Sequence, residues 1–326
     1  MKKIAITMGE PGGIGPEIIV KALFCAEIRK FCTPIVIGDI DTIKKAVRLT
    51  GLSLKVTPLS KLSDSKPKAG KIEVLGIKSS HSFKKCAPSS GAGRAVVSYV
   101  KKAVELALKK DVHAIVTAPV SKESLKLAGC SWHGHTELLA ELTRTKDFSM
   151  MFAGEKLKII LATIHVPLKD VPRLLNKKLV LKTIMNAKNG MDMLGIKKPR
   201  IAVAGLNPHA GEAGIFGNEE KKLIIPAVKE ARKKGIKVSG PYPPDVVFHK
   251  AYKGDFDIVV CMYHDQGLIP FKMLGFEKGV NVTVGLPIIR TSPDHGTAFD
   301  IAWKNKANPS SMLEAIKLAS RLKLKN

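Results

Sequence analysis

The stretch FDIVVCMYHDQG, residues 256–267, begins as a buried strand and ends as a polar cluster. Ile258, Val259, Val260, Cys261 and Met262 form a continuous apolar run, and Tyr263, His264, Asp265 and Gln266 follow it directly. Two other apolar strands end the same way. KLKIILATIH (156–165) closes on His165, and RIAVAGLNPH (200–209) reaches His209 two residues into a loop. Three strands that share an ending invite a reading in which their ends share an edge.

The rest of the chain supports that geometry. Strand-like runs at 3–9, 34–39, 113–119, 156–165, 200–207, 257–264 and 281–286 alternate with helix-like segments. The helices are expected at 16–24, 41–50, 94–109, 121–128, 136–144, 169–189, 218–234 and 309–323, while 51–93 is mixed. Such alternation predicts α/β architecture with largely parallel sheets. In open α/β sheets, ligands sit beyond the carboxyl ends of the strands. Three imidazoles at such an edge match a catalytic zinc-type site, which uses three protein ligands and keeps one position open. The gaps of 44 and 55 positions contain no local metal motif, so the reading rests on equivalent placement. A satisfied polar side chain at a strand end is the other reading of each histidine.

Composition narrows the class. A chain of 326 residues with 45% hydrophobic content is long enough for two domains with a substantial core. No internal repeat, low-complexity tract or linker marks a boundary. The apolar runs are shorter than the roughly 18 residues a spanning helix needs, so no membrane association is expected. MKKIAITMGEPGG reads as a mature, cytoplasmic start rather than a signal peptide. Five scattered cysteines without CxxC argue against a disulfide framework and a thiolate metal site; Cys25 and Cys261 are expected in the core. The charge of +26, from 54 basic and 28 acidic residues, is open to a nucleic-acid reading. The lysines are dispersed, however, and aromatics are only 5%, so stacking platforms for bases are scarce. A solvated lysine-rich surface and attraction of a phosphorylated small-molecule substrate fit better.

Other clusters carry chemistry. GEPGGIGPE (9–17) follows a strand and opens a helix with Pro16 in its first turn, yet it lacks the third glycine of GxGxxG and any GK[ST]. It is either a tight glycine turn or a backbone that must approach a ligand closely. SWHGHTE (131–137) places His133 and His135 before a helix, with Thr136 in an N-cap position. Asp245, in PPDVVF, is a cap or an acid/base group. Lys272 and Arg290 lie where they could bind phosphate, arginine through its bidentate fork.

Taken in order, GEPGGIGPE, GHTE, IHVPL, LNPHAGE, YHDQGLIPFK, GVNVTVGLPIIRTSPDHGTAFDIA and ANPSSM resemble the 4-hydroxythreonine-4-phosphate dehydrogenase (PdxA) family over essentially the whole chain. The family's first motif usually reads Gly-Asp-Pro-Ala-Gly-Ile-Gly-Pro-Glu, and Glu10 and Gly12 depart from it here. The resemblance implies one divalent metal ion (zinc, magnesium or cobalt) per active site, held by His165, His209 and His264. It implies substrate contacts from His135, Thr136, Lys272, Asn281 and Arg290, and a homodimer whose active sites draw on both subunits. A more distant likeness implies the two-domain, non-Rossmann fold of isocitrate and isopropylmalate dehydrogenases, with a cleft between domains. The expected domains are residues 1–125 plus 270–326, and 126–269.

In that superfamily a His-Gly-Ser/Thr-Ala-x-Asp loop holds the cofactor's adenosine. His295, Gly296, Thr297, Ala298 and Asp300 look the same, and a carboxylate at Asp300 favours NAD over NADP. The implied reaction is NAD-dependent oxidation of 4-phosphooxy-L-threonine at C3, then decarboxylation to 3-amino-2-oxopropyl phosphate, in pyridoxal phosphate biosynthesis. Asp245 and Lys122 are candidate bases. Three rivals remain: a relative acting on 4-phospho-D-threonate or 4-phospho-D-erythronate, a metal-dependent hydrolase and a basic nucleic-acid-binding protein. The hydrolase leaves the HGTAFD loop without a role, and the nucleic-acid reading gives the histidines none.

Overall fold

The computed structural model describes residues 1–66, 68–77, 83–132, 134–275 and 277–324; His81 and His133 lie outside the described residues. The chain starts with β1 (Lys3–Thr7), α1 (Gly15–Phe24), α2 (Ile28–Phe31), β2 (Thr33–Gly38), α3 (Ile40–Thr50), β3 (Lys55–Leu59) and β4 (Lys71–Gly76). It continues with α4 (Ser90–Leu108), β5 (Ala114–Thr117), α5 (Lys122–Leu127) and α6 (His135–Leu142). A middle section follows: β6 (Ser149–Ala153), β7 (Lys158–Leu161), α7 (Val171–Leu174), α8 (Lys177–Met193), β8 (Ile201–Ala204), α9 (Ile225–Lys233), β9 (Val238–Tyr242), α10 (Pro244–Tyr252), β10 (Ile258–Cys261), α11 (His264–Gly275) and β11 (Val280–Val284). The last elements are β12 (Arg290–Pro293) and α12 (Ser310–Arg321).

These elements form two compact units, Met1–Lys146 with Leu286–Arg321, and Asp147–Gly285 with the residues from Leu322. Helices α5 and α6 pack on α4 in the first unit, and in the second the ring of Phe271 in α11 lies 5.7 Å from that of Phe152 in β6.

In the first unit the strands run β3-β4-β2-β1-β5-β12, and every recorded pairing is parallel. The apolar runs read from the sequence are its core: Ile4, Ile6, Ile35, Ile37 and Ile115 are fully buried. Its helices start where polar caps allow. Asp39 accepts from Thr42 N at 2.7 Å, Ser89 from Ala92 N at 3.3 Å and Ser121 from Ser124 N at 3.1 Å.

In the second unit the order is β11-β6-β7-β10-β8-β9. Strands β7, β10, β8 and β9 are parallel, whereas β6 is antiparallel to both β7 and β11. Mixed α/β architecture with mostly parallel sheets is therefore what forms.

Local departures from the expectation have local causes. The helix expected at 169–189 breaks after α7, and Asn176 caps α8 by accepting from Leu179 N at 2.9 Å. The segment expected to start a helix at 218 opens with a π-helical turn at 220–224. Strand β10 stops at Cys261, and His264 opens α11 instead of ending the strand. Cys261 is buried as expected, but Cys25 at the end of α1 is only half-buried.

Candidate active site

The three strand-end histidines belong to neighbouring strands. In the second unit β7, β10 and β8 lie side by side, and their carboxyl ends lead to His165, His264 and His209 respectively. Pairing continues past the strands, with Ala162 N donating to Cys261 O at 2.8 Å and Thr163 Oγ1 to Met262 O at 2.8 Å. This brings the rings of His165 and His264 to 5.6 Å between centroids. The Nδ1 of His264 is 2.6 Å from Asp265 Oδ1, which leaves Nε2 available, the arrangement in which a carboxylate orients a metal-ligating imidazole. Two rings bound tetrahedrally to one ion at about 2.0–2.1 Å would stand roughly 5 Å apart, so the pair fits a divalent metal.

His209 is placed differently. It starts a run of left-handed backbone, with φ of 52° at His209, 54° at Ala210, 83° at Gly211, 40° at Glu212 and 54° at Ala213. Each non-glycine residue in that region costs about 1–2 kcal/mol. Two side chains that the sequence reading assigned no role hold this loop. Buried Gln266 accepts from Met262 N and donates to Gly205 O, both at 2.7 Å, tying the exit of β10 to that of β8. Buried Glu220 accepts from Leu206 N and Asn207 N, both at 2.8 Å, and from Asn207 Nδ2 at 3.0 Å. The His209 ring lies 6.0 Å from that of Phe216, beside exposed Ile215. Among the described residues, no group of three or more His, Cys, Asp or Glu side chains is gathered closely enough to hold a metal. Within one chain, then, two of the three expected ligands are paired.

In the first unit, His135 and Thr136 open α6 and are buried. The residue before the helix is Gly134, so Thr136 is not its N-cap. Arg290, at the start of β12, is 3% exposed and donates from Nη2 and Nε to Thr117 Oγ1 at 2.7 and 3.2 Å. Burial pushes the Arg290 pKa down to about 10, partly offset by Glu137. Burial, with the Arg290 charge second, pushes His135 down to about 3, so its imidazole is neutral at any physiological pH. His135 Nε2 is buried without a hydrogen-bond partner. A buried cation beside a neutral imidazole with an unused nitrogen suits an anion or a hydroxyl group. In the second unit, Lys272 is half-buried on α11, and Asn281 on β11 is buried with its Oδ1 unpartnered. The candidate bases Asp245 and Lys122 are exposed in the first turns of α10 and α5.

The glycine loop meets protein backbone. A Cβ on Gly12 would lie 2.3 Å from Lys84 O, and one on Gly13 would lie 3.0 Å from Thr297 O. Ile14 N donates to Thr297 O at 3.0 Å, and Trp303 Nε1 to Pro11 O at 3.1 Å. The glycines thus let the loop seat the segment that carries His295, Gly296, Thr297, Ala298 and Asp300. Within that segment Ala298 is left-handed (φ 42°) and Asp300 is exposed. Beneath the loop, Glu10 is fully buried and neither carboxyl oxygen makes a hydrogen bond of good geometry. Burial raises its pKa to about 7; the Ser124 hydroxyl and the Ser121 and Gly12 backbone groups offset only part of that.

The relatives this chain matches along nearly its whole length are dehydrogenases, and that is its class of enzyme; a terephthalate 1,2-cis-dihydrodiol dehydrogenase of Burkholderia xenovorans superposes with a TM-score of 0.67 at 28% identity, covering 98% of each chain. The chain belongs to the PdxA family: residues 30–319 match the family described as pyridoxal phosphate biosynthetic protein PdxA. It is 48% identical to a 4-hydroxythreonine-4-phosphate dehydrogenase of Desulforapulum autotrophicum, over 97% of this chain and 94% of that one. It is 47% identical to a D-threonate 4-phosphate dehydrogenase of Salmonella typhimurium, over 98% and 99%. The crystal structure of 4-hydroxythreonine-4-phosphate dehydrogenase from Klebsiella pneumoniae superposes with a TM-score of 0.91 at 44% identity, covering 98% of this chain and 97% of that one.

Proposed function

We propose that the protein oxidises C3 of 4-phosphooxy-L-threonine with NAD and releases CO2 to leave 3-amino-2-oxopropyl phosphate, a step in pyridoxal phosphate biosynthesis. The observation that carries this reading is the buried Arg290 beside neutral His135, a cation and a polar nitrogen set to receive an anionic substrate. Arg290 and Lys272 neutralise the phosphate, Arg290 as a planar fork held in plane by Thr117. His135 and Thr136 hold substrate oxygens, and Asn281 offers its unpartnered Oδ1 to a donor on the substrate. His165, His209 and His264 hold the divalent ion, and Asp265 fixes the His264 tautomer. A bound ion would act there as a Lewis acid, lowering the pKa of the C3 hydroxyl and then polarising the ketone. Asp245 and Lys122 are the candidates for accepting the hydroxyl proton. His295, Gly296, Thr297, Ala298 and Asp300 hold the adenosine end of NAD, and the Asp300 carboxylate disfavours the extra phosphate of NADP.

We further infer a homodimer with shared active sites. A single chain pairs only His165 and His264, and His209 stands beside exposed Ile215 and Phe216, apolar groups that a second copy would cover. Among the described residues no helix is long and apolar enough to cross a membrane. A second reading is favoured by the 47% identical relative named D-threonate 4-phosphate dehydrogenase. The sugar-acid substrate differs in lacking the amino group. NADH formation measured separately with 4-phosphooxy-L-threonine and 4-phospho-D-threonate decides between them. The first reading requires the larger kcat/KM for the amino substrate, and preference for the threonate overturns it.

A further inference from the structure

A cavity of about 210 Å³ opens in the second unit, lined by none of the residues assigned to the proposed active site. One wall is the β6–β7 turn, Gly154 to Leu157; the others are Tyr252 at the end of α10 and Phe271, Leu274 and Gly275 on α11, with Lys278 beyond. Its construction is specific. Gly154 N donates to Leu157 O at 3.0 Å, and a Cβ on Gly154 would lie 3.1 Å from the Phe271 ring. Glycine there lets the turn close over the phenyl group. Phe271 and Leu157 are buried, Tyr252 and Leu274 are exposed, and nothing lies within 4 Å of a Cβ built on Gly275. The walls are therefore aromatic and aliphatic, with an open mouth.

The charged groups at the mouth are Lys156, Lys278 and Glu155, all exposed. Lys156 Nζ sits 5.0 Å from the centroid of the Tyr252 ring, so one ammonium is already held over the aromatic wall. The balance is one net positive charge. Size sets the other limit. An apolar cavity of about 150 Å³ admits benzene, so this one takes a single six-membered ring with a small substituent. His264 and Gly275 mark opposite ends of α11, roughly 16 Å apart at about 1.5 Å per residue, and Lys272 is not among the lining residues.

We propose that this cavity is a binding site for a small aromatic anion, a single ring bearing a phosphate or carboxylate. The ring lies against Tyr252, Phe271, Leu157 and Leu274, and the anion pairs with Lys156 and Lys278. The test uses phenyl phosphate as the probe in ligand-observed NMR titrations, with benzylamine as the control of equal ring and opposite charge. Phenyl phosphate should bind in the millimolar range or tighter, and benzylamine at least tenfold more weakly. Lys156→Glu with Lys278→Glu should weaken phenyl phosphate at least tenfold. Leu274→Trp, which fills the mouth from an exposed position, should do the same. His135→Asn should leave the affinity unchanged, which separates this site from the proposed substrate site. Equal binding of benzylamine, unchanged affinity in both cavity variants, loss of binding in His135→Asn alone, or no detectable binding at about 10 mM would each overturn the assignment.

Discussion

Replacing Glu10 by Gln tests whether a carboxyl group sealed beneath the glycine loop carries a proton at neutral pH. In the folded chain its pKa is raised from 4.5 to about 7, chiefly by burial. The folded state therefore holds this proton more tightly than the unfolded chain does. The native state is fully stabilised relative to the unfolded chain below pH 4.5, and that advantage is lost as pH rises toward 7. At about 1.4 kcal/mol per tenfold change in proton affinity, the loss reaches about 3 kcal/mol above pH 7. Glutamine matches the shape of the protonated acid and cannot ionise. Urea unfolding of both proteins at pH 5 and pH 8 gives the assay. The Gln variant should gain about 2–3 kcal/mol on wild type between the two conditions, with the change in midpoint and not in slope. A stability difference that is the same at pH 5 and pH 8 would refute the burial argument.

Other outcomes follow from single contacts. Gly12→Ala, which restores the residue usual in the family, places a Cβ 2.3 Å from Lys84 O and should cost about 1–3 kcal/mol, read by thermal unfolding. Gln266→Leu strips a hydrogen bond from Met262 N and another from Gly205 O, both buried, and should cost about 2–4 kcal/mol in urea unfolding while weakening divalent-metal affinity. Arg290→Lys keeps the charge but loses the fork on Thr117; it should lower kcat/KM by about 10- to 100-fold through KM, which steady-state assays over a range of substrate concentration will show. Because His135 is held neutral by a pKa near 3, the pH–rate profile should carry no inflection from it between pH 5 and 9, and His135→Asn should lower the rate without moving the profile's limbs.

The sequence made the parallel core legible because its strands are continuous apolar runs. The runs around Ile4, Ile35, Ile115, Ile159, Ile201 and Val259 became β1, β2, β5, β7, β8 and β10. The segments it missed lack that signature. Helix α11 contains Gly267 and Pro270, which read as breakers, so HDQG looked like a strand exit when it is a helix start. Strand β9 carries Gly240 and Pro241, and β12 is the four polar-rich residues RTSP; neither shows a hydrophobic period. Strand β6 is antiparallel to its neighbours, a reversal that alternation of strand and helix does not announce.

At the site, the placement of His165, His209 and His264 beyond three neighbouring strands was readable from equivalent strand endings. The bracing by Gln266 and Glu220 was not, because each acts on backbone groups far away in sequence: Gln266 spans 61 positions to Gly205, and Glu220 reaches back 14 to Leu206. The glycine loop shows the limit from the other side. Its composition suggested either a ligand cradle or a tight turn, and only the carbonyls of Lys84 and Thr297 reveal what the glycines approach.

The most direct test of a metal-assisted dehydrogenase built on His165, His209 and His264 is NADH formation from 4-phosphooxy-L-threonine by the chelator-stripped protein, with and without added zinc, magnesium or cobalt. Loss of turnover on stripping, recovery on metal addition and no recovery in His209→Ala are the expected results. Undiminished turnover by the stripped protein, or full metal-restored activity in His209→Ala, would contradict the three-histidine site.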